Sequence, residues 1–350
     1  MALEDQGLLN GLRVEEAEGL RSARRSLVES QSLALTEVEC WTEWEQLDCI
    51  AVCRPAMLDV SSPMEASAVG FSAMVTCREM EGAFDRLHEA IARFGCKVFD
   101  LRDFLPESEH ALSDTLVNRV FVRDVAAVMG HQLVMGTASF HVREAEFDST
   151  HRALMSLVSG PARSSQQVLI QSAGMEFGDG FLLDSERLLV NVGLRSGARG
   201  LRGFLEVAWS AGFREVAVVR LPEQLGIIHL DLAFNVLGPR AVLARSFLRH
   251  IPLRVFRPGE AEQWEAFERY FTQRGQRVIS FEPPRPDGFT SNYIYLGPQL
   301  ILASQSAAPQ LRPLAKEFGI EVESVDIEAL ERGNGSIRCL TMPLRRLRSS

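Results

Sequence analysis

Cysteine, basic charge and long apolar runs are all scarce in this sequence of 350 residues. Six cysteines are too few for a fold held together by disulfides. Asp and Glu number 46 against 37 Lys and Arg, so the net charge is −9, whereas nucleic-acid binders usually present a basic face. No run reaches the roughly 18 apolar residues that a membrane-spanning helix needs. These deficits argue against a disulfide-rich secreted protein, a nucleic-acid-binding protein and a membrane protein.

The remaining composition is that of an ordinary globular protein, with 46% hydrophobic and 24% charged residues. Residues 1–40 stand apart because they are rich in Leu, Glu, Arg and Ser, and residues 22–32 have the pattern of a polar helix. The acidic start lacks the basic and apolar regions of a signal peptide. We therefore predict a cytoplasmic protein with a helical N-terminal extension over residues 1–40 and one domain over residues 41–350.

A pattern of helix, glycine and strand repeats along residues 41–350. In each copy an amphipathic helix runs into a glycine, which suits the left-handed end of a helix, and a β-rich run follows. Four copies are clear from their glycines, which are Gly95, Gly212, Gly275 and Gly319. The first interval is 117 residues, about two repeats, so we expect a fifth, degenerate copy over residues 153–159 and 167–170.

Two short β-rich runs precede each of these helices, which gives a unit of strand, strand, helix and strand. A unit of this size cannot bury its own apolar face, so the units must share a core. We therefore predict an α/β fold in which five units close into a ring, a five-bladed α/β propeller, with strand ends around a central channel. The alternative is an α/β protein of another kind in which the similarity between the copies is accidental.

Four polar segments recur at the period of this repeat, at residues 118–124, 175–179, 229–231 and 332–343. Asp124, Glu176 and His229 follow one another at intervals of 52 and 53 residues. Cys339 lies 110 residues beyond His229, about twice that interval. Equivalent positions in successive units would converge on the centre of the ring.

The residue types in these segments allow a narrow chemistry. A cysteine becomes a nucleophile when a neighbouring or bound cation lowers its pKa, and a histidine can carry the proton. Several carboxylates in one pocket repel one another unless a cation lies between them. The combination points to covalent attack on a guanidinium carbon, because a cysteine protease has no use for three or four converging acids.

In this order, the segments resemble the motifs of the guanidine-modifying enzymes of the pentein superfamily, and the sequence is most similar to the arginine deiminases. The resemblance covers roughly residues 41–344. Residues 332–344 resemble the deiminase nucleophile loop, and residues 121–124 resemble F-T-R-D. Residues 229–231 match H-L-D, and residues 176–179 resemble E-G-G-D with Phe177 in place of a glycine.

The resemblance implies a set of catalytic roles. Cys339 would be the nucleophile, and His229 would protonate the leaving group and then activate water. Glu176 would orient His229. Asp124 and Asp231 would hold the guanidinium through bidentate, charge-assisted hydrogen bonds.

The resemblance also implies substrate contacts outside the reacting group. Asn118 matches a substrate-binding Asn of the family, and Arg143 matches an Arg that binds the substrate carboxylate. Asp179 would contact substrate or cap the turn beside its neighbouring glycines. No cofactor is implied, and we predict no metal site, because the metal-like pair Cys49 and Cys53 has no second Cys or His pair nearby.

The sequence departs from the deiminases where they carry a second carboxylate-binding Arg, in an E-R-T phrase. Gly197 stands at that place here, and Arg195 and Arg199 lie close by but at a different spacing. Only residues 106–117 are available for the helical insertion of the bacterial deiminases. The identity of the substrate tail is therefore left open. Whether the reaction removes one nitrogen or two is also left open.

Three functions remain to be compared. The first is hydrolysis of arginine or a related alkylguanidine. The second is amidino transfer to an amine, although that family's nucleophile phrase usually runs H-C-A-T, whereas R-C-L-T here favours hydrolysis. The third is a non-catalytic binding module. The joint presence of the five predicted catalytic residues argues against it. The expected partner is a small guanidine, with no nucleic acid and no membrane, and a homo-oligomer is among the states that the sequence allows.

Overall fold

A computed structural model describes residues 35, 37–158, 169–225, 227–284 and 288–348. The predicted helix over residues 22–32, and most of the predicted extension over residues 1–40, lie outside the described residues. None of the helices in the described part combines the length and the apolar character needed to cross a bilayer.

Strands and short helices alternate along these residues. The strands are β1 (Gln46–Val52), β2 (Lys97–Asp100), β3 (Ala126–Met129), β4 (Gln132–Met135), β5 (Leu169–Ser172), β6 (Gly180–Leu182), β7 (Arg187–Asn191), β8 (Glu215–Val219), β9 (Phe234–Val236), β10 (Ala241–Arg245), β11 (Leu253–Phe256), β12 (Gln263–Glu265), β13 (Arg277–Phe281), β14 (Ile294–Gly297), β15 (Leu300–Ser304), β16 (Glu321–Val325) and β17 (Met342–Leu347). The α-helices are α1 (Pro63–Val69), α2 (Cys77–Ala92), α3 (Glu107–Ser113), α4 (Val122–Val125), α5 (Glu144–Val158), α6 (Ala198–Ala211), α7 (Phe267–Gln273), α8 (Ala308–Lys316) and α9 (Glu328–Glu331). Turns of 3-10 helix span Leu101–Phe104, Val117–Val120, His141–Arg143, Phe177–Asp179, Glu223–Leu225, Leu230–Leu232 and Ser246–His250.

The strands form five separate sheets: sheet 1 (β17-β1-β2), sheet 2 (β3-β4-β5), sheet 3 (β12-β11-β8-β7-β6), sheet 4 (β13-β10-β9) and sheet 5 (β14-β15-β16). In each sheet one strand has an antiparallel neighbour and a parallel neighbour. A helix lies between the two parallel strands along the chain, because a tight turn cannot join them. The predicted unit of strand, strand, helix and strand is confirmed in an α/β fold. In sheet 1 the antiparallel partner, β17, comes from the far end of the domain.

The predicted glycines end their helices through a left-handed conformation. Gly212 has φ 102° directly after α6, and its N–H bonds back to the last turn before the chain enters β8. Gly95, Gly275 and Gly319 also have positive φ. The degenerate fifth copy is confirmed as α5 followed by β5, with residues 159–168 outside the described part.

Five apolar clusters hold the sheets together, and each cluster is shared by two sheets. Sheets 1 and 2 share one cluster, and the next ones join sheets 2 and 3, sheets 3 and 4, and sheets 4 and 5. The fifth cluster joins sheet 5 to sheet 1. Since a three-stranded sheet cannot cover its own faces, burial of apolar side chains depends on these shared clusters.

Candidate active site

The four polar segments all lie where the chain enters the first strand of a unit. Asp124 is in α4, directly before β3, and Cys339 lies shortly before β17. Glu176 and His229 each precede a turn of 3-10 helix that leads into β6 or β9. The segments also pack against one another, because the turn after Glu176 contacts both α4 and the turn after His229. The predicted convergence of these residues is therefore present.

His229 lies buried between two carboxylates. Its Nε2 donates to Oε2 of Glu176 at 2.9 Å, and its Nδ1 lies 3.4 Å from Oδ1 of Asp124. Burial alone would lower the pKa of His229, but Asp124, Glu176 and Asp179 outweigh it and raise the pKa well above its ordinary value. A Cβ at Gly178 would lie 2.7 Å from the imidazole, so only glycine allows this approach. The site therefore holds a protonated imidazole at neutral pH.

Glu176 is fixed from both ends of its carboxylate. Oε1 accepts hydrogen bonds from the backbone N–H and the hydroxyl of Ser139, at 2.9 and 2.8 Å. Burial would raise the pKa of Glu176, but the hydrogen bond from His229 and the charge of Arg143 hold it well below its usual range. Glu176 therefore remains ionised and accepts a hydrogen bond that holds the imidazole of His229 in one orientation.

Asp124 has a cationic partner within the protein. Oδ2 accepts from Nη1 of Arg143 at 2.8 Å, and Nε of Arg143 donates to Glu146, also at 2.8 Å. All three side chains are buried. Oδ1 of Asp124 has no hydrogen-bond partner among the described residues. Its one contact of opposite charge is the imidazole Nδ1 of His229 at 3.4 Å, so this oxygen can still accept a hydrogen bond from a ligand.

Cys339 is 5% exposed and lies against Asp231. Its thiol donates to Oδ2 of Asp231 at 3.5 Å, and Arg338 donates to the same oxygen at 3.2 Å. Within the described part of the chain, Oδ1 of Asp231 has no hydrogen-bond partner. Burial, together with the charges of Asp231 and Asp124, raises the pKa of Cys339 well above its ordinary value. The thiol is therefore protonated until a cation offsets these acids.

A cavity of about 890 Å³ opens onto this group. Five of the predicted site residues line it: Cys339, His229, Asp124, Asn118 and Arg143. Asn118 donates through Nδ2 to the backbone oxygen of Val69 at 2.9 Å. Glu176 and Asp231 lie behind the lining residues, in contact with them. The cavity is large enough for a small molecule with an extended tail.

Asp179 does not reach the cavity, which differs from the substrate contact predicted for it. It is fully buried, and its Oδ1 accepts from Nδ2 of Asn191 at 2.8 Å and from the backbone N–H of Leu230 at 2.9 Å. Burial raises its pKa to about 6. Asp179 fixes the backbone next to His229, so its effect on the site is through position.

Asp124, Glu176 and His229 also lie close enough together to hold a metal ion. Both imidazole nitrogens of His229 already face the two carboxylates, so the imidazolium itself supplies positive charge between them. A metal ion bound by all three would need a deprotonated imidazole and the loss of these contacts.

A family model decides the relationship of this chain to known proteins. The model described as arginine deiminase matches residues 84–282, which is more than half of the chain. The chain belongs to the arginine deiminase family. The family is named for deimination of arginine, which is a reaction of a guanidine group.

Individual arginine deiminases are distant relatives. The arginine deiminase of Listeria welshimeri is 27% identical over 272 residues, which cover 70% of this chain and 65% of that enzyme. The chain therefore spans just under two thirds of the length of such relatives. An uncharacterized protein of Bacillus subtilis, YkgA, is 22% identical over 310 residues and is matched along 94% of its length.

Solved structures of the pentein superfamily share the fold. Dimethylarginine dimethylaminohydrolase of Pseudomonas aeruginosa, complexed with citrulline, has a TM-score of 0.61 at 14% identity, over 85% of this chain and 99% of that one. The N-terminal domain of ArgZ, a cyanobacterial arginine dihydrolase bound to substrate, has a TM-score of 0.62 at 17% identity, over 85% and 98%. At these identities the likeness establishes the pentein fold alone.

Arg195 lies two residues before Gly197, the position where this member of the arginine deiminase family departs from the motif. Gly197 caps α6 from its N-terminal side, and Arg199 is exposed on that helix. Arg195 lines the cavity, with its guanidinium 4.3 Å from the ring centre of Phe140. Its Nε and Nη1 have no hydrogen-bond partner among the described residues. Of the two nearby arginines, Arg195 is the one that faces the cavity.

Three residues at the site were missed by the sequence analysis: Ser139, Asn292 and Arg338. Asn292 directly contacts Cys339, with Nδ2 3.1 Å from Sγ. A signal for it existed in the spacing, because the interval between His229 and Cys339 is two repeats long and predicts a polar residue between them. Arg338 lies within the predicted segment 332–343, directly before Cys339, but its bond to Asp231 joins residues far apart in the chain. Ser139 carries no such signal, since it bonds the distant Glu176.

Proposed function

We propose that this chain hydrolyses arginine or a related alkylguanidine and releases ammonia and a ureido product. One observation carries the proposal: Cys339, His229 and Asp124 line one cavity, with Glu176 and Asp231 in contact behind them. Membership of the arginine deiminase family supports it. Two enzymes with the same fold have structures with citrulline or with substrate bound.

In this proposal, binding begins with the two carboxylates that are incompletely bonded. Oδ1 of Asp124 and Oδ1 of Asp231 are buried without a hydrogen-bond partner in the described part of the protein. A guanidinium between them satisfies both oxygens with charge-assisted bonds. The same cation offsets the acids that raise the pKa of Cys339, so the thiol releases its proton to solvent through the cavity when substrate binds.

Sγ of Cys339 then attacks the central guanidinium carbon and forms a C–S bond. Protonated His229 gives its proton to a substrate nitrogen as the C–N bond breaks, and ammonia leaves. The remaining group is a thiouronium on Cys339, and His229 is now neutral. Glu176 holds the imidazole in place throughout the transfer.

Hydrolysis of the thiouronium completes the reaction. Neutral His229 takes a proton from water, and the resulting hydroxide attacks the thiouronium carbon. The C–S bond breaks, the carbon–oxygen bond becomes the carbonyl of the ureido product, and the hydroxyl proton returns to the sulfur. His229 ends protonated and Cys339 ends as a thiol, as at the start.

We also propose that the five sheets form a five-bladed propeller and that residues 41–350 are one catalytic domain. The shared clusters support a ring, because sheet 5 shares its core with sheet 1 as well as with sheet 4. Pairing of β1 with β17 ties the two ends of the domain into one sheet. The channel of this ring would hold the cavity.

For the substrate tail, we propose that Arg195 binds a carboxylate. Arg195 lines the cavity, its Nε and Nη1 have no hydrogen-bond partner among the described residues, and Nη1 has only an ion-pair contact of 3.6 Å with Glu176. An arginine fork suits a carboxylate. Arg143, for which the resemblance predicts a carboxylate-binding role, also lines the cavity, but its Nη1 and Nε are bonded to Asp124 and Glu146. Among the described residues this leaves Nη2 alone without a hydrogen-bond partner, against two such nitrogens in Arg195. We therefore assign binding of the substrate carboxylate to Arg195. The role that we assign to Arg143 is to hold Asp124 in position.

Product analysis tests the proposed function. The protein is incubated with arginine, agmatine and other guanidines, with and without acceptor amines, and the products are identified by mass spectrometry. Ammonia with a ureido product is the expected result. Ornithine with a new guanidine would identify an amidinotransferase instead, and no turnover of any guanidine would favour the binding module.

A further inference from the structure

Asn292 holds the nucleophile through three hydrogen bonds. Its side chain is fully buried, with Nδ2 donating to Sγ of Cys339 at 3.1 Å. Its Oδ1 accepts from the backbone N–H of Arg338 at 2.9 Å and from that of Cys339 at 3.3 Å. The amide thus contacts both the backbone and the sulfur of the same residue.

The two backbone donors fix the orientation of this amide. Because Oδ1 takes both N–H groups, the NH₂ end of Asn292 must face the opposite side, where the acceptors are Sγ and the backbone oxygen of Asp231 at 3.5 Å. An amide turned by 180° would place NH₂ against two N–H donors and leave them without an acceptor. A donor is therefore permanently directed at the sulfur.

The two carboxylates near the sulfur oppose its ionisation. Asp231 and Asp124 both disfavour a thiolate, and so does burial. Once the thiol proton has gone, Asp231 can no longer accept a bond from the sulfur, whereas the bond from Asn292 grows stronger because its acceptor is charged. We propose that Asn292 is a catalytic residue that stabilises the Cys339 thiolate. This role rests on the proposed function. It applies both when the sulfur attacks the guanidinium carbon and when the C–S bond breaks.

The place of Asn292 in the repeat supports a role in the site. It lies two residues before β14, the first strand of sheet 5, where the other units carry Asp124, Glu176, His229 and Cys339. It is 47 residues before Cys339 and 63 after His229. Asn292 is thus the fifth polar residue of the set, in the unit for which the sequence analysis found none.

The segment around Asn292 is held by another buried asparagine, which offers a matched control. Nδ2 of Asn235 donates to the backbone oxygens of Ser291 and Tyr293, at 2.7 and 3.0 Å. Asn235 therefore fixes the residues on both sides of Asn292 without contacting Cys339. If Asn292 had a purely structural role, loss of the Asn292 amide and loss of the Asn235 amide should affect Cys339 to a similar extent.

The test measures alkylation of Cys339 by iodoacetamide as a function of pH, without substrate, with peptide mapping to isolate this residue. The variants are Asn292→Asp, which keeps the acceptor for both N–H groups, and Asn292→Ala, with Asn235→Ala as control. We expect both Asn292 variants to move the alkylation profile to higher pH by about one unit or more. Asn292→Ala isolates the lost hydrogen bond to the thiolate, whereas Asn292→Asp also adds a carboxylate charge beside the sulfur. Asn235→Ala should leave the profile in place.

Steady-state kinetics on the active guanidine adds a second readout. The Asn292 variants should lose roughly 10- to 100-fold in kcat with little change in KM, because the sulfur is bonded by Asn292 and the substrate is not. An unchanged alkylation profile in folded Asn292→Asp, or an equal shift in Asn235→Ala, would overturn the proposal while leaving guanidine hydrolysis by the wild type intact. Failure of the wild type to turn over guanidines would instead contradict the proposed function, and the alkylation profiles would still report on Asn292.

Discussion

Arg143 donates to Oδ2 of Asp124 at 2.8 Å, so a carboxylate that faces the cavity already has one cation of the protein's own. The same guanidinium bonds Glu146, and all three groups are buried. Burial would lower the pKa of Arg143, but the charges of Asp124, Glu146 and Glu176 raise it. Arg143 thus engages one oxygen of Asp124, Oδ2, and leaves Oδ1 with only the contact to Nδ1 of His229 at 3.4 Å.

Removing this guanidinium should destabilise the fold. Arg143→Met removes the guanidinium that both buried carboxylates share, and breaking a buried pair costs about 3–5 kcal/mol of unfolding free energy. Denaturant unfolding measures the loss. Arg86→Met is the control, because its ion pair with Asp326 is about half exposed and should be worth less than about 1 kcal/mol. Equal losses of unfolding free energy in the two variants would mean that the buried ion pairs of Arg143 stabilise the fold no more than an exposed pair does.

Neutralising the two clamp carboxylates should impair catalysis. In Asp124→Asn or Asp231→Asn the substrate cation loses a charge-assisted bond in a buried site, which costs about 2–4 kcal/mol, or roughly 30- to 1000-fold in kcat/KM. Without substrate, either change should also speed alkylation of Cys339, because an acid that raises its pKa is gone.

Glu43→Gln is the matched control for Asp231→Asn. Glu43 accepts from the same Arg338 guanidinium at 3.0 Å but does not contact the sulfur. Its loss should leave the alkylation rate of Cys339 near that of the wild type. If both aspartate variants retained near wild-type kcat/KM for every guanidine that is turned over, the two acids would be structural.

The protonation of His229 should depend on Glu176. The folded-state pKa of His229 lies above its ordinary value of 6.5, so its ion pairs stabilise the fold fully below about pH 6.5 and lose this contribution as pH rises through the raised pKa. NMR titration of the imidazole should show a charged ring at neutral pH in the wild type. Glu176→Gln should lower that pKa.

His151 provides an internal reference in the same spectra. It is also largely buried, but burial dominates there and lowers its pKa below 6.5. Its titration should be unchanged by Glu176→Gln, since its Nε2 contacts the backbone oxygen of Val125. A neutral His229 at pH 7 in the wild type would contradict its assignment as the general acid.

Arg195 should control the choice of substrate tail. Arg195→Gln should raise KM for a guanidine with a carboxylate, such as arginine, by roughly 10-fold or more, since a charged hydrogen bond is lost. KM for agmatine, which has no carboxylate, should change little. Arg199→Gln is the control, because Arg199 is exposed and does not line the cavity. A parallel rise for arginine and agmatine would show that Arg195 does not read the tail.

The repeat could be predicted from the sequence because its signals are local. Each helix ends at a glycine that takes up positive φ, and each following strand is a short β-rich run. The periodic spacing also placed Asp124, Glu176, His229 and Cys339 together. Local signals fail for Asn292, whose neighbours resemble an ordinary turn and whose partner lies 47 residues away.

The role of Asp179 could not be read from its motif. Its carboxylate turns away from the cavity to bond Asn191 and Leu230, and that choice depends on how sheets 3 and 4 pack. Arg143 presents the same difficulty, because the sequence does not show that Asp124 and Glu146 would occupy its guanidinium. Sequence motifs predict which residues lie together in the site. The packing of the folded protein determines which of their atoms remain available to bind a ligand.

The mass of the Cys339 peptide during turnover tests the central claim most directly. The protein is mixed with arginine or agmatine, quenched in acid within the turnover time, and digested for mass spectrometry. The account predicts a thiouronium adduct on Cys339 in the wild type and in a Cys77→Ser variant, since the Cys77 thiol is partly exposed and does not line the cavity. Cys339→Ser should show neither adduct nor product. Turnover with no adduct on Cys339 at any quench time, or activity retained in Cys339→Ser, would contradict the covalent mechanism.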